Sequence, residues 1–168
     1  MAGTAQAAET EAQFIDRVYL QPHHGPVTGE MVLNLREWYG LSPAWTLAFM
    51  AAETSLADPE LGGRLVGANN FFCMKYSSKA TPWSELSNGK IKVGRSTWFT
   101  FPAPDVGMSA WGRLMKLRFL PMLQAGGVGA AATKYYGAKV AGLGAYKLRL
   151  VRFESKMKAK AAEAGWEW

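Results

Sequence analysis

The chain of 168 residues has one cysteine, two histidines and no long apolar run, and each shortage closes off a class of answer. A single cysteine excludes an internal disulfide, so the fold must rest on its core. Between Phe72 and Met74, Cys73 is expected to be a small buried hydrophobe rather than a nucleophile. The histidines stand side by side as His23-His24; adjacent residues do not share a helix face, and no cysteine or carboxylate cluster supports them as metal ligands. Neither a metal nor an organic cofactor is expected. Nothing approaches ~18 consecutive apolar residues, so no membrane insertion is expected. Met1 to Ala12 has no basic stretch followed by an apolar one, the pattern a secretory signal needs.

What is present points to one domain, residues 1–168, with short flexible ends at about 1–10 and 161–168. At this size roughly 68–70% of the unfolded surface can be buried, and with 49% hydrophobic residues a core can form without staples. The net charge of +6 suits an acidic partner. Its late members, from Lys134 through Lys139, Lys147, Arg149, Arg152, Lys156 and Lys158 to Lys160, read first as the solvated face of a final helix. No helix-turn-helix, zinc or RNA-binding pattern accompanies them, so no nucleic-acid partner is expected. Gly127-Val128-Gly129-Ala130-Ala131-Ala132 fits a G-x-G-x-x-A dinucleotide pattern in spelling only, since no strand precedes it.

The chain is organised around the stretch Ser42–Tyr76. Ser42 is a good N-cap and Pro43 suits the first helical position. Nine uncharged residues follow, Ala44 to Ala52, the composition of a helix buried almost all round. Then comes Glu53. A carboxylate at the end of a buried helix must be paired or must keep its proton, and a carboxylic acid still protonated near neutral pH is what general-acid cleavage of a glycoside needs. The alternative is that Glu53 emerges into solvent.

Elsewhere Thr10 and Gln13 form a capping box ahead of a Phe14, Ile15, Val18, Tyr19 stripe. A second helix is expected from about Gly29 to Tyr39. Asp58-Pro59 and the glycines Gly62, Gly63 and Gly67 mark a loop. Asn88-Gly89 predicts a tight hairpin turn between Trp83–Leu86 and Ile91–Phe101, which puts Glu85 on the first strand. A helix is expected from Asp105 to about Phe119 with Met108, Trp111, Leu114 and Met115 inward. Pro121 and Gly126 to Gly129 punctuate a connection, and a final helix begins near Gly144, with Glu154 and Lys158 as an i,i+4 pair.

Ala52-Glu53-Thr54-Ser55-Leu56, the glycine loop, and Asn69-Asn70-Phe71-Phe72-Cys73-Met74-Lys75 together resemble the signature of the bacterial endo-β-N-acetylglucosaminidases, the family 73 glycoside hydrolases. There an A-x-E-S/T-x-x-G-type segment precedes N-N-L-F-G-I-K. Trp98-Phe99-Thr100-Phe101 with Pro104 to Met108, Tyr136-Gly137-Ala138-Lys139, and Ala145-Tyr146-Lys147-Leu148 match later segments of that family. The resemblance runs from about Phe14 to about Met157. Cys73 stands where glycine is usual, and Lys139 where the family often has aspartate.

The resemblance implies an α+β, predominantly α, lysozyme-like helical domain with a small β-hairpin beside the cleft. It implies a peptidoglycan hydrolase that cuts the β-1,4 bond after N-acetylglucosamine. Glu53 would be the general acid and Glu85 the second acid, with Asp58 and Glu60 as alternatives. Tyr136, or Tyr135, would hold the sugar's N-acetyl group. Asn70, Phe72, Tyr76, Trp83, Trp98 and Tyr135 would line the substrate site, although the residues themselves favour Asn70 as the group that orients its loop, with Phe72 buried beside it. The rival readings are a muramidase or lytic transglycosylase on the same fold, or a wall-binding module that cuts nothing. The expected partner is the peptidoglycan strand, met by a monomer made in the cytoplasm and acting on the wall after release, as a phage-type endolysin does.

Overall fold

The computed structural model describes residues 8–137 and 141–168; the Tyr136–Lys139 match therefore lies partly outside the described residues, at Ala138 and Lys139. Helix α1 (Glu11–Ile15) opens on the capping box, with Thr10 and Gln13 exchanging side chain-to-backbone bonds. It widens into a π-helical turn at Asp16–Leu20 and tightens at Gln21–His23. Helix α2 (Gly29–Tyr39) starts on Thr28 and stops at Gly40, whose φ of +70° is the usual glycine helix stop.

Helix α3 (Pro43–Thr54) is the central element. Ser42 caps it, and Ala44, Leu47, Ala48, Phe49 and Met50 are completely buried. Each of its large apolar side chains contributes about 1.5–3 kcal/mol by leaving water. The helix ends abruptly: Ser55, Leu56 and Ala57 all take positive φ, 52–61°, a conformation that α-helix geometry cannot continue.

Helix α4 (Pro59–Gly67) replaces the expected loop. Asp58 makes the difference, because its carboxylate accepts from the Glu60 and Leu61 amides and so caps the first turn. The glycines are accommodated by a break at Gly63.

The hairpin exists, but shifted along the chain. Strand β1 (Gly89–Val93) pairs antiparallel with β2 (Ser96–Thr100), and the turn is made by Gly94-Arg95. Gly94, at φ +61°, opens the two-residue turn. Asn88 closes the other end, its amide and side chain both bonded to Thr100. Trp83–Leu86 is no strand: hydroxyl-to-backbone bonds between Thr81 and Ser84 wind Ser84–Leu86 into a short 3-10 turn.

Helix α5 (Pro104–Arg118) buries Met108, Trp111 and Met115 as expected. Where a connection was expected, α6 (Leu120–Tyr136) runs on, leaving helical geometry only at Gly126 and Gly127. A largely buried carboxylate, Glu154, fills that kink. It accepts from the Val128 amide at 3.2 Å, from Trp45 Nε1 at 3.0 Å and from Lys158 Nζ at 2.8 Å. Helix α7 (Leu143–Glu163) packs on α3 and α6.

The C-terminal end is not loose. Ala161 is buried, and Trp168 packs on Phe14 and Tyr19 while its indole N–H donates to Glu11. The fold is thus α+β and mainly helical, with one two-stranded sheet among the described residues. No helix among them is long and apolar enough to cross a membrane.

Candidate active site

Glu53 sits in the last turn of α3 and lines a cavity of about 490 Å³. It is the one carboxylate among the lining residues, and a helix C-terminus lends an anion no support. The Tyr146 hydroxyl, on α7, donates to Glu53 Oε1. Burial pushes the Glu53 carboxyl above the ordinary glutamate value; the hydroxyl of Tyr146, the thiol of Cys73 and the guanidinium of Arg149 each pull it part of the way back. An acid in this position can hold a proton and hand it to a basic oxygen in the cavity.

The segment facing Glu53 is held by side chain-to-backbone bonds. Thr54 Oγ1 donates to the Phe71 carbonyl at 2.7 Å. Asn69 Nδ2 donates to the Phe101 carbonyl, and Gly107 lets α5 approach: a Cβ there would stand 1.9 Å from the Asn69 carbonyl oxygen. Asn70 donates to the Met74 and Phe99 carbonyls at 3.0 and 2.9 Å and accepts from the Met74 amide at 2.7 Å. The segment then delivers Cys73, Met74 and Lys75 to the cavity wall.

Several sequence-chosen residues therefore have other duties. Asn70 and Phe72 are buried and do not line the cavity; Asn70 fastens the segment, and Phe72 stacks on Trp111 at 3.9 Å. Trp83 is also absent from the lining, and its ring carries the Arg118 guanidinium at 4.9 Å. Tyr76 is partly exposed, set edge-on to Phe99 with Lys90 Nζ over its ring. Glu85 lies exposed in the 3-10 turn outside the cavity lining, because its segment is not part of the hairpin. Asp58 and Glu60 belong to the start of α4.

Trp98, Tyr135 and Tyr136 do reach the cavity. The Tyr135 hydroxyl is already engaged, donating to the Phe72 carbonyl at 2.6 Å, while its ring packs on Phe49 and Phe119. Tyr136 stacks on Tyr146 with ring centroids 4.3 Å apart. The aromatic group that bonds Glu53 is thus Tyr146, which is not itself a lining residue, and the cavity-lining Tyr136 stacks on it. Sequence reading placed Tyr146 in the closing helix and gave it no part in the site. Cys73 is half-buried at the cavity rather than sealed in the core, its thiol 3.6 Å from the Glu53 carbonyl. Burial and then the nearby Glu53 raise the thiol's pKa, which keeps it an unreactive SH.

A scan against protein-family models, a search of curated proteins and a search of solved structures each found no match to this chain. The functional reading accordingly rests on the motif residues and on the geometry around Glu53. His23, set aside as a ligand, bonds Asp58 through Nδ1 at 3.3 Å, and no cluster of three metal-ligating side chains occurs among the described residues.

Proposed function

We propose that the protein is a glycoside hydrolase of bacterial peptidoglycan that cuts the β-1,4 bond after N-acetylglucosamine, with Glu53 as general acid. The supporting observation is a lone, largely buried carboxyl in a cavity wall, held by the Tyr146 hydroxyl and kept above its ordinary pKa by burial. Such an acid is still partly protonated where an exposed glutamate is not, and it can protonate the leaving oxygen as the bond breaks through an oxocarbenium-like transition state. Trp98, Tyr135 and Tyr136 supply apolar faces on which sugar rings stack.

The second carboxylate assigned to Glu85 has no counterpart in the cavity. Two mechanisms need none. In one, the substrate's own N-acetyl group attacks the anomeric carbon once Glu53 protonates the leaving oxygen, and water then opens the resulting ring. In the other, a lytic transglycosylase, the muramic 6-hydroxyl attacks and leaves a 1,6-anhydro end. The single acid in the cavity supports this second mechanism as well as the first.

Digestion of purified peptidoglycan by wild type and by Glu53→Gln, with new ends identified by mass spectrometry after borohydride reduction, separates them. Reduced N-acetylglucosamine ends, absent with the variant, support the leading reading. Muramic or anhydromuramic ends move the bond and keep the acid. No new ends on several wall types would refute catalysis and leave a binding module.

A further inference from the structure

The cavity wall is electrically lopsided. Of its lining residues Lys75, Arg118 and Lys134 are cations, and Glu53 is the one acid. The three converge from separate elements: Lys75 from the segment ahead of β1, Arg118 from the end of α5 and Lys134 from α6. Each lies over an aromatic ring, Lys75 on Trp98 at 5.7 Å, Arg118 on Trp83 at 4.9 Å and Lys134 on Phe119 at 5.4 Å.

None of the three forms an ion pair among the described residues, whereas Arg17, Arg36 and Lys158 are each paired with a glutamate elsewhere. Nor are they counter-charges for Glu53. The cation that pulls on that carboxyl is Arg149, outside the lining set, and burial still outweighs it. Three cations held on ring faces at a cleft, none of them ion-paired among the described residues, are arranged for an external anion.

We propose that the cleft takes a glycan whose substituents carry carboxylates, and that Lys75, Arg118 and Lys134 form the wall that receives them. This rests on the reading of the cavity as a glycan site and specifies its substrate. A neutral N-acetylglucosamine polymer offers the wall nothing, while a glycan strand bearing acidic side branches presents its charge alongside the bond aimed at Glu53. The cations are exposed to water, so each acts through screened Coulomb attraction and is worth about two- to fivefold in binding, together roughly tenfold or more.

The test compares one wall preparation in two forms: native, and with its carboxyls converted to amides by carbodiimide and ammonia. Binding by co-sedimentation is measured with Glu53→Gln, and kcat/KM with wild type, so that loss of catalysis and loss of charge selection are read separately. At low salt the native form should be preferred roughly tenfold, with the preference shrinking as salt rises. Lys75→Gln, Arg118→Gln and Lys134→Gln should each lower the native-to-amidated ratio about two- to fivefold.

Lys134 also donates to the Arg118 carbonyl, so Lys75→Gln and the salt titration decide the matter should the other variants fold poorly. Equal handling of both forms at low salt, or a ratio untouched by Lys75→Gln, would overturn the proposal. A preference that disappears once phosphodiester polymers are stripped from the wall would assign the anion to phosphate and overturn it equally.

Discussion

Replacing Asn70 with alanine is the sharpest test of how the cavity wall is built. The side chain is 1% exposed and makes three hydrogen bonds to backbone, two as donor to the Met74 and Phe99 carbonyls and one as acceptor from the Met74 amide. The Met74 carbonyl keeps a partner, since it also accepts from the Phe99 amide at 3.1 Å. Each lost donor bond costs about 1 kcal/mol net, and the stranded Met74 amide adds about 1–3 kcal/mol as a buried unsatisfied donor. The sum is about 3–5 kcal/mol. For a chain of this length that lowers Tm by on the order of 10 °C. Urea unfolding followed by tryptophan fluorescence and by far-ultraviolet circular dichroism measures it directly. Asn70→Asp should not rescue, because a carboxylate can accept from Met74 but turns its charge on two carbonyls. A loss below about 1 kcal/mol for Asn70→Ala would refute the idea that this side chain fastens the segment.

Removing the Tyr146 hydroxyl with Tyr146→Phe takes away the group that most strongly stabilises ionised Glu53, so the carboxyl should titrate at still higher pH; the alkaline limb of the pH–rate profile should move up, and a downward move contradicts the pairing. Because the folded Glu53 carboxyl lies above its unfolded value, the folded state binds the extra proton, and wild-type stability should decline as pH rises from about 4.5 toward the folded value; Glu53→Gln should flatten that decline, measured as the difference between the two proteins' urea midpoints across pH. Gly107→Ala should cost about 2–3 kcal/mol by pressing a methyl on the Asn69 carbonyl, while Gly67→Ala, with open space around its Cβ, should be neutral or stabilising by up to about 1 kcal/mol. Glu154→Ala should cost about 3 kcal/mol in thermal or urea unfolding, since the Val128 amide and Trp45 indole lose their acceptor.

Elements written in local chemistry were legible in advance. Thr10 and Gln13 announce α1, and Ser42-Pro43 followed by an uncharged run announces α3 with Glu53 at its far end. Glycine marks the breaks, at Gly63 and at Gly126-Gly127, but not the helix that resumes on either side of them. Asp58 caps a helical turn that reaches Gly62 before the break at Gly63, and Glu154, distant in sequence, caps the restart of α6 after Gly127. The hairpin was displaced because Asn88-Gly89 is the stronger local turn signal, yet Gly94 supplies the positive φ and Asn88 instead bonds Thr100 across the open end. That displacement removed Glu85 from the cavity. Tyr146 was invisible as a site residue for another reason: in an amphipathic helix a tyrosine reads as core, and its bond to Glu53 joins positions 93 residues apart. No spacing rule reaches that far.

The kink in α6 has a bearing on the cleft it never touches. Beyond it the helix carries Lys134, Tyr135 and Tyr136, while the acid filling it belongs to α7, which also carries Tyr146. The helix that lines the cleft and the helix whose Tyr146 holds Glu53 are thus riveted to each other, and through Trp45 to α3 as well, at a single carboxylate. The shape of the cleft wall can therefore be retuned by substitutions around Glu154 that leave every lining side chain chemically unaltered.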